Sequence, residues 1–246
     1  MELIYKKAIE KYLEKTGEKE LRLKAVLFDM DGVLFDSMPF HAESWKKAMA
    51  QEGIFADVEE FLAHEGRTSK QTVDIFFKKS NRPPATDDEI KAIYKIKENF
   101  FNECPAVSQM AGTFSLIQQM KMKGLKLGVV TGSAQGSLLK RLPEDYPNAF
   151  DERVIVTALD VKHGKPNPEP YLMGLQKSEV DKNEVIVIEN APLGVEAAVK
   201  AGIFTIAVNT GKLDEKLLID AGTDLIFNSM EELNNEWKTV YNLLNK

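Results

Sequence analysis

Four short segments combine acids, hydroxyls, a lysine and an amide at spacings that could do chemistry. Asp29-Met30-Asp31-Gly32 sets two carboxylates two residues apart ahead of a glycine. A carboxylate at a strand end can act as a nucleophile toward phosphorus or as a metal ligand. These two can converge only where the chain leaves extended geometry. The same residues would also suit an exposed turn, where Asp-Gly is common. Thr131-Gly132-Ser133 offers hydroxyls and free backbone N–H groups, which suit a phosphate at a strand–helix junction or an ordinary helix cap. Lys165 stands among Gly164, Pro166 and Pro168, as a held cation for a transferring phosphoryl group or a lysine of a surface loop. Glu189-Asn190 pairs an acid with an amide oxygen, hard ligands suited to Mg²⁺, although Asn190 could equally cap a helix. Together the four can hold Mg²⁺ and surround a phosphoryl group.

Convergence requires a scaffold. The runs Lys24–Phe28, Lys126–Val130, Arg153–Val156, Glu184–Ile188, Ile203–Val208 and Asp224–Phe227 are short, apolar and rich in β-branched residues, as strands are. They do not alternate polar with apolar, which implies burial on both faces of a parallel sheet. Helical patterns separate them, at Thr113–Lys123, Pro168–Gln176 and Leu193–Ala201, with Gly124 and Gly202 placed as C-caps. Alternation of this kind predicts an α/β, doubly wound, Rossmann-like parallel sheet. In such sheets ligands bind beyond the carboxyl ends of the strands, where the four segments fall.

One region breaks the alternation. From Phe40 to about Pro105 the pattern is helical, at His41–Gln51, Val58–His64, Ser69–Lys79 and Thr86–Asn102, interrupted at Asn81-Arg82-Pro83-Pro84. This predicts a small helical domain inserted after the first strand and joined to the core near Ser37–Phe40 and Pro105–Met110. The expected division is an N-terminal helical extension over 1–20, a core over 21–39 and 106–246, and the inserted helical domain over 40–105.

The 246 residues suffice for a core plus a smaller domain, and 43% are hydrophobic. A formal charge of −6, with both signs interspersed, argues against nucleic acid or an anionic membrane as partner. A single cysteine, Cys104, cannot form an internal disulfide, so a reducing, cytoplasmic setting is expected. No apolar run approaches the roughly 20 residues of a membrane span. The N-terminal segment lacks a secretory signal pattern. Its Ile4, Tyr5, Ile9, Tyr12 and Leu13 suggest an amphipathic helix lying on the core. The expected state is a monomer or weak homo-oligomer acting on a small phosphate-containing substrate.

In order, Leu27–Ser37 (LFDMDGVLFDS), Val130–Ser133 (VTGS), Gly164–Pro166 (GKP) and Ile188–Asn190 (IEN) resemble the haloacid dehalogenase superfamily. The branch is that of β-phosphoglucomutase and phosphoglycolate phosphatase, and the resemblance runs from about Leu23 to the C-terminus. It implies that Asp29 attacks phosphorus and binds Mg²⁺. Asp31 would protonate the leaving group, then activate water, with its backbone carbonyl on the metal. Thr131 and Lys165, with Gly132 and Ser133 beside them, would hold phosphoryl oxygens. Glu189 and Asn190 would complete the metal site, directly or through water. Asp31 rules against the dehalogenases themselves. The inserted helices, 40–105, would be the cap domain, which closes over the site and excludes water.

Substrate choice then rests on the cap. His41 and Trp45 match the mutases; His41 could touch the leaving group, and Trp45 reads as packing. The mutases carry a lysine before the cap glycine and an arginine three residues after it, which grip the sugar's distal phosphate. Here those positions are Glu65 and Ser69, with Arg67 between them. The mutases also have Glu-Asp where this chain has Glu189-Asn190. Both departures are explained if Glu65 reaches the metal on closure and restores the lost charge. This resembles a pyrophosphatase branch of the superfamily and favours a small, highly charged substrate, first inorganic pyrophosphate. A β-phosphoglucomutase-like mutase is the alternative. A non-catalytic protein of the same fold is disfavoured by the intact Asp29, Asp31 and Lys165.

Overall fold

A computed structural model describes residues 1–64, 67–133 and 136–245. The chain opens with α1 (Glu2–Thr16) and enters the sheet at β1 (Ala25–Phe28). Next come α2 (Met38–Gln51), α3 (Val58–Leu62), α4 (Ser69–Lys79) and α5 (Asp87–Asn102). Then come α6 (Thr113–Met122), β2 (Lys126–Val130), α7 (Gly136–Asp145), β3 (Ile155–Val156), α8 (Glu169–Ser178) and β4 (Val185–Glu189). The chain finishes with α9 (Pro192–Lys200), β5 (Phe204–Val208), α10 (Glu215–Asp220), β6 (Leu225–Phe227) and α11 (Met230–Leu244).

The six strands form one sheet in the order β3-β2-β1-β4-β5-β6, and every pairing is parallel. Strand order reverses beside β1, which pairs with both β2 and β4 and so creates the crevice where such sheets bind ligands. Alternate strand residues feed opposite faces. Val26, Phe28, Val129, Ile186 and Ile188 pack under α1, α6, α7 and α11, while Leu27, Val130, Val185 and Val187 pack under α8 and α9. Burial on both faces explains the continuous apolar runs.

Helix α1 lies on the core layer. Tyr5, Ile9 and Tyr12 are buried, the Tyr12 hydroxyl donates to Gly202 O (2.9 Å), and its ring meets Phe204 edge-on at 5.3 Å. The strand expected over Arg153–Val156 is shortened to its last two residues. The Asp151 side chain accepts from Arg153 N (3.0 Å) and winds residues 152–154 into a 3₁₀ turn. Helix α2 begins three residues earlier than the sequence pattern suggests, because Pro39 sits in its first turn, where a missing N–H costs nothing.

Helices α2–α5 form the inserted cap, with a core of their own that includes Met49, Phe61, Val73, Phe76, Phe77, Ile90 and Ile93. Helices α4 and α5 each start on a reciprocal capping box, Thr68 with Gln71 and Thr86 with Glu89. The two connections to the core run side by side: Asp36 N donates to Ser108 O (3.0 Å) and Met110 N to Leu34 O (2.9 Å). Among the described residues, no helix is long and apolar enough to cross a membrane.

Candidate active site

Asp29 follows β1 directly, and its amide donates to Ile188 O of β4 (2.9 Å). The chain then leaves extended geometry in a tight turn, with Leu34 N donating to Met30 O (2.9 Å) and Gly32 N to Phe35 O (2.7 Å). Gly32 has φ +81°, and a Cβ there would overlap the Asn190 side chain. The turn brings Asp29 and Asp31 to one cavity of about 80 Å³ between the core and the cap. The core contributes Gly132, Ser133, Glu189 and Asn190 to its walls; the cap contributes His41, Trp45, His64, Arg67, Ser69 and Lys97.

Lys165 lies behind Asp29, 1% exposed, and its ammonium donates to Asp29 Oδ1 (2.5 Å), Glu189 Oε1 (2.6 Å) and Val130 O (3.1 Å). Burial pushes the Asp29 carboxyl above its ordinary range, and Lys165 pulls it back down. The Lys165 ammonium is driven up: burial lowers it, but Asp29 and Glu189 together outweigh that. A second cation beside Asp29 would favour its ionised, nucleophilic form.

Asp31 Oδ1 accepts from the Ser37 hydroxyl (2.5 Å) and from His41 Nε2 (2.8 Å). The other imidazole nitrogen, Nδ1, lies 2.6 Å from Lys97 Nζ, and the ring stacks on Phe101 at 4.3 Å. Burial and Lys97 hold His41 below its ordinary value, so a neutral imidazole donates to Asp31 and accepts from Lys97. Burial lowers Lys97 itself to about 8. Although burial raises Asp31, His41, Ser37 and Lys97 more than offset it and hold this carboxyl at about 2.

Thr131 is 2% exposed, and its hydroxyl accepts from Ser133 N (3.0 Å), so it shapes the turn that presents Gly132 and Ser133 to the cavity. Trp45 packs against the cap core and also walls the cavity. Glu65 lies outside the described residues. Lys97, His64 and Tyr171 belong to the site although sequence reasoning did not single them out. For Lys97 a signal existed: Ile90, Ile93, Lys97 and Phe101 share the buried stripe of α5, and a lysine there needs a partner. Tyr171, fully buried, donates its hydroxyl to Glu189 Oε1 (3.1 Å).

The residues present fit a hard cation. Asn190 Oδ1 is buried and has no hydrogen-bond partner among the described residues, yet its residue lines the cavity with Asp29 and Asp31. A carboxylate, a backbone carbonyl and an amide oxygen make a Mg²⁺ donor set that leaves positions for water and phosphate.

Helix α9 supports this end of the site by close approach. A Cβ on Gly194 would overlap the Glu189 carboxylate. Alanine normally gains about 1 kcal/mol over glycine inside a helix, but here the sign reverses. Gly194→Ala is expected to cost roughly 1–3 kcal/mol, as overpacking does, and to lower turnover by displacing Glu189. A denaturant midpoint equal to or above that of the unaltered protein would refute this.

Residues 26–208 match the family model of haloacid dehalogenase-like hydrolases. The chain belongs to that family. A phosphorylated carbohydrates phosphatase from Thermotoga maritima is 31% identical over 214 residues, 86% of this chain and 97% of that protein. The β-phosphoglucomutase of Bacillus subtilis is 25% identical over 226 residues, covering 88% and 96% respectively. A solved Bacteroides vulgatus protein, described provisionally as a β-phosphoglucomutase, is 50% identical, with full coverage of both chains and a TM-score of 0.96. These relatives are described as a phosphatase and mutases of phosphate compounds.

Proposed function

We propose that this protein is a Mg²⁺-dependent phosphohydrolase that works through an aspartyl-phosphate on Asp29, with inorganic pyrophosphate as its first candidate substrate. The observation that carries the substrate choice is the cavity. At about 80 Å³ it falls far below the roughly 300–1,000 Å³ of pockets that take drug-sized ligands. Lining it with Asp29 are His64 and Arg67 of the cap, whose Nδ1 and Nε are buried and have no hydrogen-bond partner among the described residues. A second phosphoryl group would satisfy them, whereas a hexose ring would extend out of so small a cavity.

Asp29 attacks phosphorus and the leaving group departs on the cap side. Lys165 Nζ, held beside Asp29, offsets the repulsion between an anionic nucleophile and an anionic substrate. Gly132 and Ser133 border the phosphoryl group. Asp29, the Asp31 backbone carbonyl and Asn190 Oδ1 would hold Mg²⁺. The ion, when bound, neutralises charge on the phosphoryl oxygens. Asp31 would take a proton from water in the second step; the two hydrogen bonds on its Oδ1 orient the carboxylate and also weaken it as a base. A phosphate leaving group needs less protonation on departure than a sugar alkoxide, which agrees with an Asp31 held ionised.

The test is phosphate release with Mg²⁺ from pyrophosphate, beside β-glucose 1-phosphate and a set of hexose and hexitol phosphates. Pyrophosphate should be preferred in kcat/KM. Arg67→Ala should lower that value by about 10–100-fold, the loss of one charge-assisted hydrogen bond in a closed site. Interconversion of β-glucose 1-phosphate and glucose 6-phosphate, dependent on glucose 1,6-bisphosphate, would instead establish the mutase reading, which the similarity to the β-phosphoglucomutases supports. Preferred hydrolysis of sugar monoesters would place the chain with the carbohydrate phosphatases it resembles.

A further inference from the structure

The carboxylate of Glu189 has every acceptor position in use. Oε1 accepts from Lys165 Nζ (2.6 Å) and the Tyr171 hydroxyl (3.1 Å). Oε2 accepts from the backbone N–H groups of Asn190 (2.7 Å) and Ala191 (2.8 Å). An ionised carboxylate offers about four lone-pair positions, and these contacts fill them. Glu189 is also 0% exposed. Its neighbour Asn190 is the opposite case, with Oδ1 buried and without a hydrogen-bond partner among the described residues, in a residue that lines the cavity. The two residues at the end of β4 therefore divide the work: one holds a lysine, the other is available to a cation.

Lys165 is equally committed. An ammonium has three donors, and they go to Asp29, Glu189 and Val130 O. Where Nζ sits relative to Asp29 thus depends on where Glu189 Oε1 sits. Oε2 is tied to the backbone, while the only partner of Oε1 besides Lys165, among the described residues, is Tyr171. The Tyr171 ring also lies under the ammonium, 5.1 Å from Nζ, so hydroxyl and ring bear on the same pair. Without the hydroxyl, Oε1 would have a vacant acceptor position beside the ammonium. Lys165 would then be drawn toward Glu189 and away from the phosphoryl group.

We propose that Tyr171 is a positioning residue for phosphoryl transfer: its hydroxyl pins Glu189 Oε1, which aims Lys165 at Asp29, and Glu189 stays off the metal. This rests on the Mg²⁺-dependent phosphotransfer reading above and not on pyrophosphate as substrate. Tyr171 touches no reacting atom, and metal binding falls to Asp29, Asp31 and Asn190.

The experiment compares the full chain with Tyr171→Phe, which removes a single oxygen, and with Glu189→Gln and Asn190→Ala. Turnover is measured with both pyrophosphate and p-nitrophenyl phosphate. Mg²⁺ affinity is measured by calorimetry without substrate, and folding by the thermal midpoint. Tyr171→Phe should lower kcat about tenfold on either substrate, the scale typical of residues that orient a functional side chain, with KM changed less than about twofold. Mg²⁺ affinity should be unaltered in Tyr171→Phe and Glu189→Gln, and weakened in Asn190→Ala. A matching loss of Mg²⁺ affinity in Tyr171→Phe or Glu189→Gln would overturn the inference by making Glu189 a ligand. An unchanged kcat with a lowered thermal midpoint would overturn it too, by reducing Tyr171 to packing. An unaltered protein that turns over neither substrate would sink the phosphotransfer reading itself, a result distinct from both.

Discussion

Replacing Asp29 with asparagine is expected to abolish turnover of every phosphate substrate, by about 10⁴-fold or more, as loss of a covalent nucleophile does. The fold should survive, because an amide oxygen at the same position can still accept from Lys165 Nζ, whose other carboxylate partner, Glu189, is untouched. An amide is a far poorer nucleophile than a carboxylate, and none of the neighbouring acids can take its place. Asp31 is turned toward Ser37 and His41, and Glu189 is enclosed behind Lys165 with 0% exposure. Acid-quenched single-turnover experiments read the result directly. The unaltered enzyme should carry an acid-stable acyl phosphate on this residue, and Asp29→Asn none. Retention of more than about 1% of kcat would be inconsistent with nucleophilic catalysis by this group.

Lys165→Met should be the most destabilising single change in the site. It leaves two buried carboxylates facing each other with no cation between them. Breaking a buried pair by removing one partner typically costs about 3–5 kcal/mol. For a chain of this size that corresponds to a fall in Tm of roughly 6–20 °C. Turnover should drop as well, by about 10²–10³-fold, since a preorganised donor to the transferring group is gone. The pH dependence has a definite sign. Burial already raises Asp29, and Lys165 is the largest influence pulling it down. Without the lysine, the folded state holds carboxylate protons that the unfolded chain has released. The folded state then binds more protons than the unfolded one, so the variant gains stability as pH falls. The gap between the two proteins should be wide at pH 8 and narrower at pH 5. Denaturant midpoints at the two values measure it, and a gap that widens on acidification would contradict the account.

The scaffold was legible because it depends on local pattern. Continuous apolar runs, helical stripes and glycine caps are set by which faces must be buried, and they identified all six strands and the four cap helices. The strand after Asp151 was overestimated because a side chain–backbone hydrogen bond competes with the ladder there, and apolar content does not register that competition. Helix α7 gave a weaker pattern, with Pro143 inside it. The acids and hydroxyls of the proposed site were readable because they stand at or just beyond strand ends, where the fold class alone brings ligands; Lys165 lies farther along the loop between β3 and α8.

The chain by itself determined the parallel sheet, the helices inserted after β1, and the acids and hydroxyls that fall at the strand ends, since residue type and periodicity carry that information. Tertiary structure decided who touches whom. Lys97 is separated from His41 by 56 residues, and Tyr171 from Glu189 by 18. Only the docking of α5 on α2, and of α8 across β1 and β2, gives those polar groups partners. A buried lysine or tyrosine reads in sequence as an anomaly on an apolar stripe. What it does follows from the one neighbour that can satisfy it once water has been excluded, and that neighbour is chosen by packing between elements far apart in the chain.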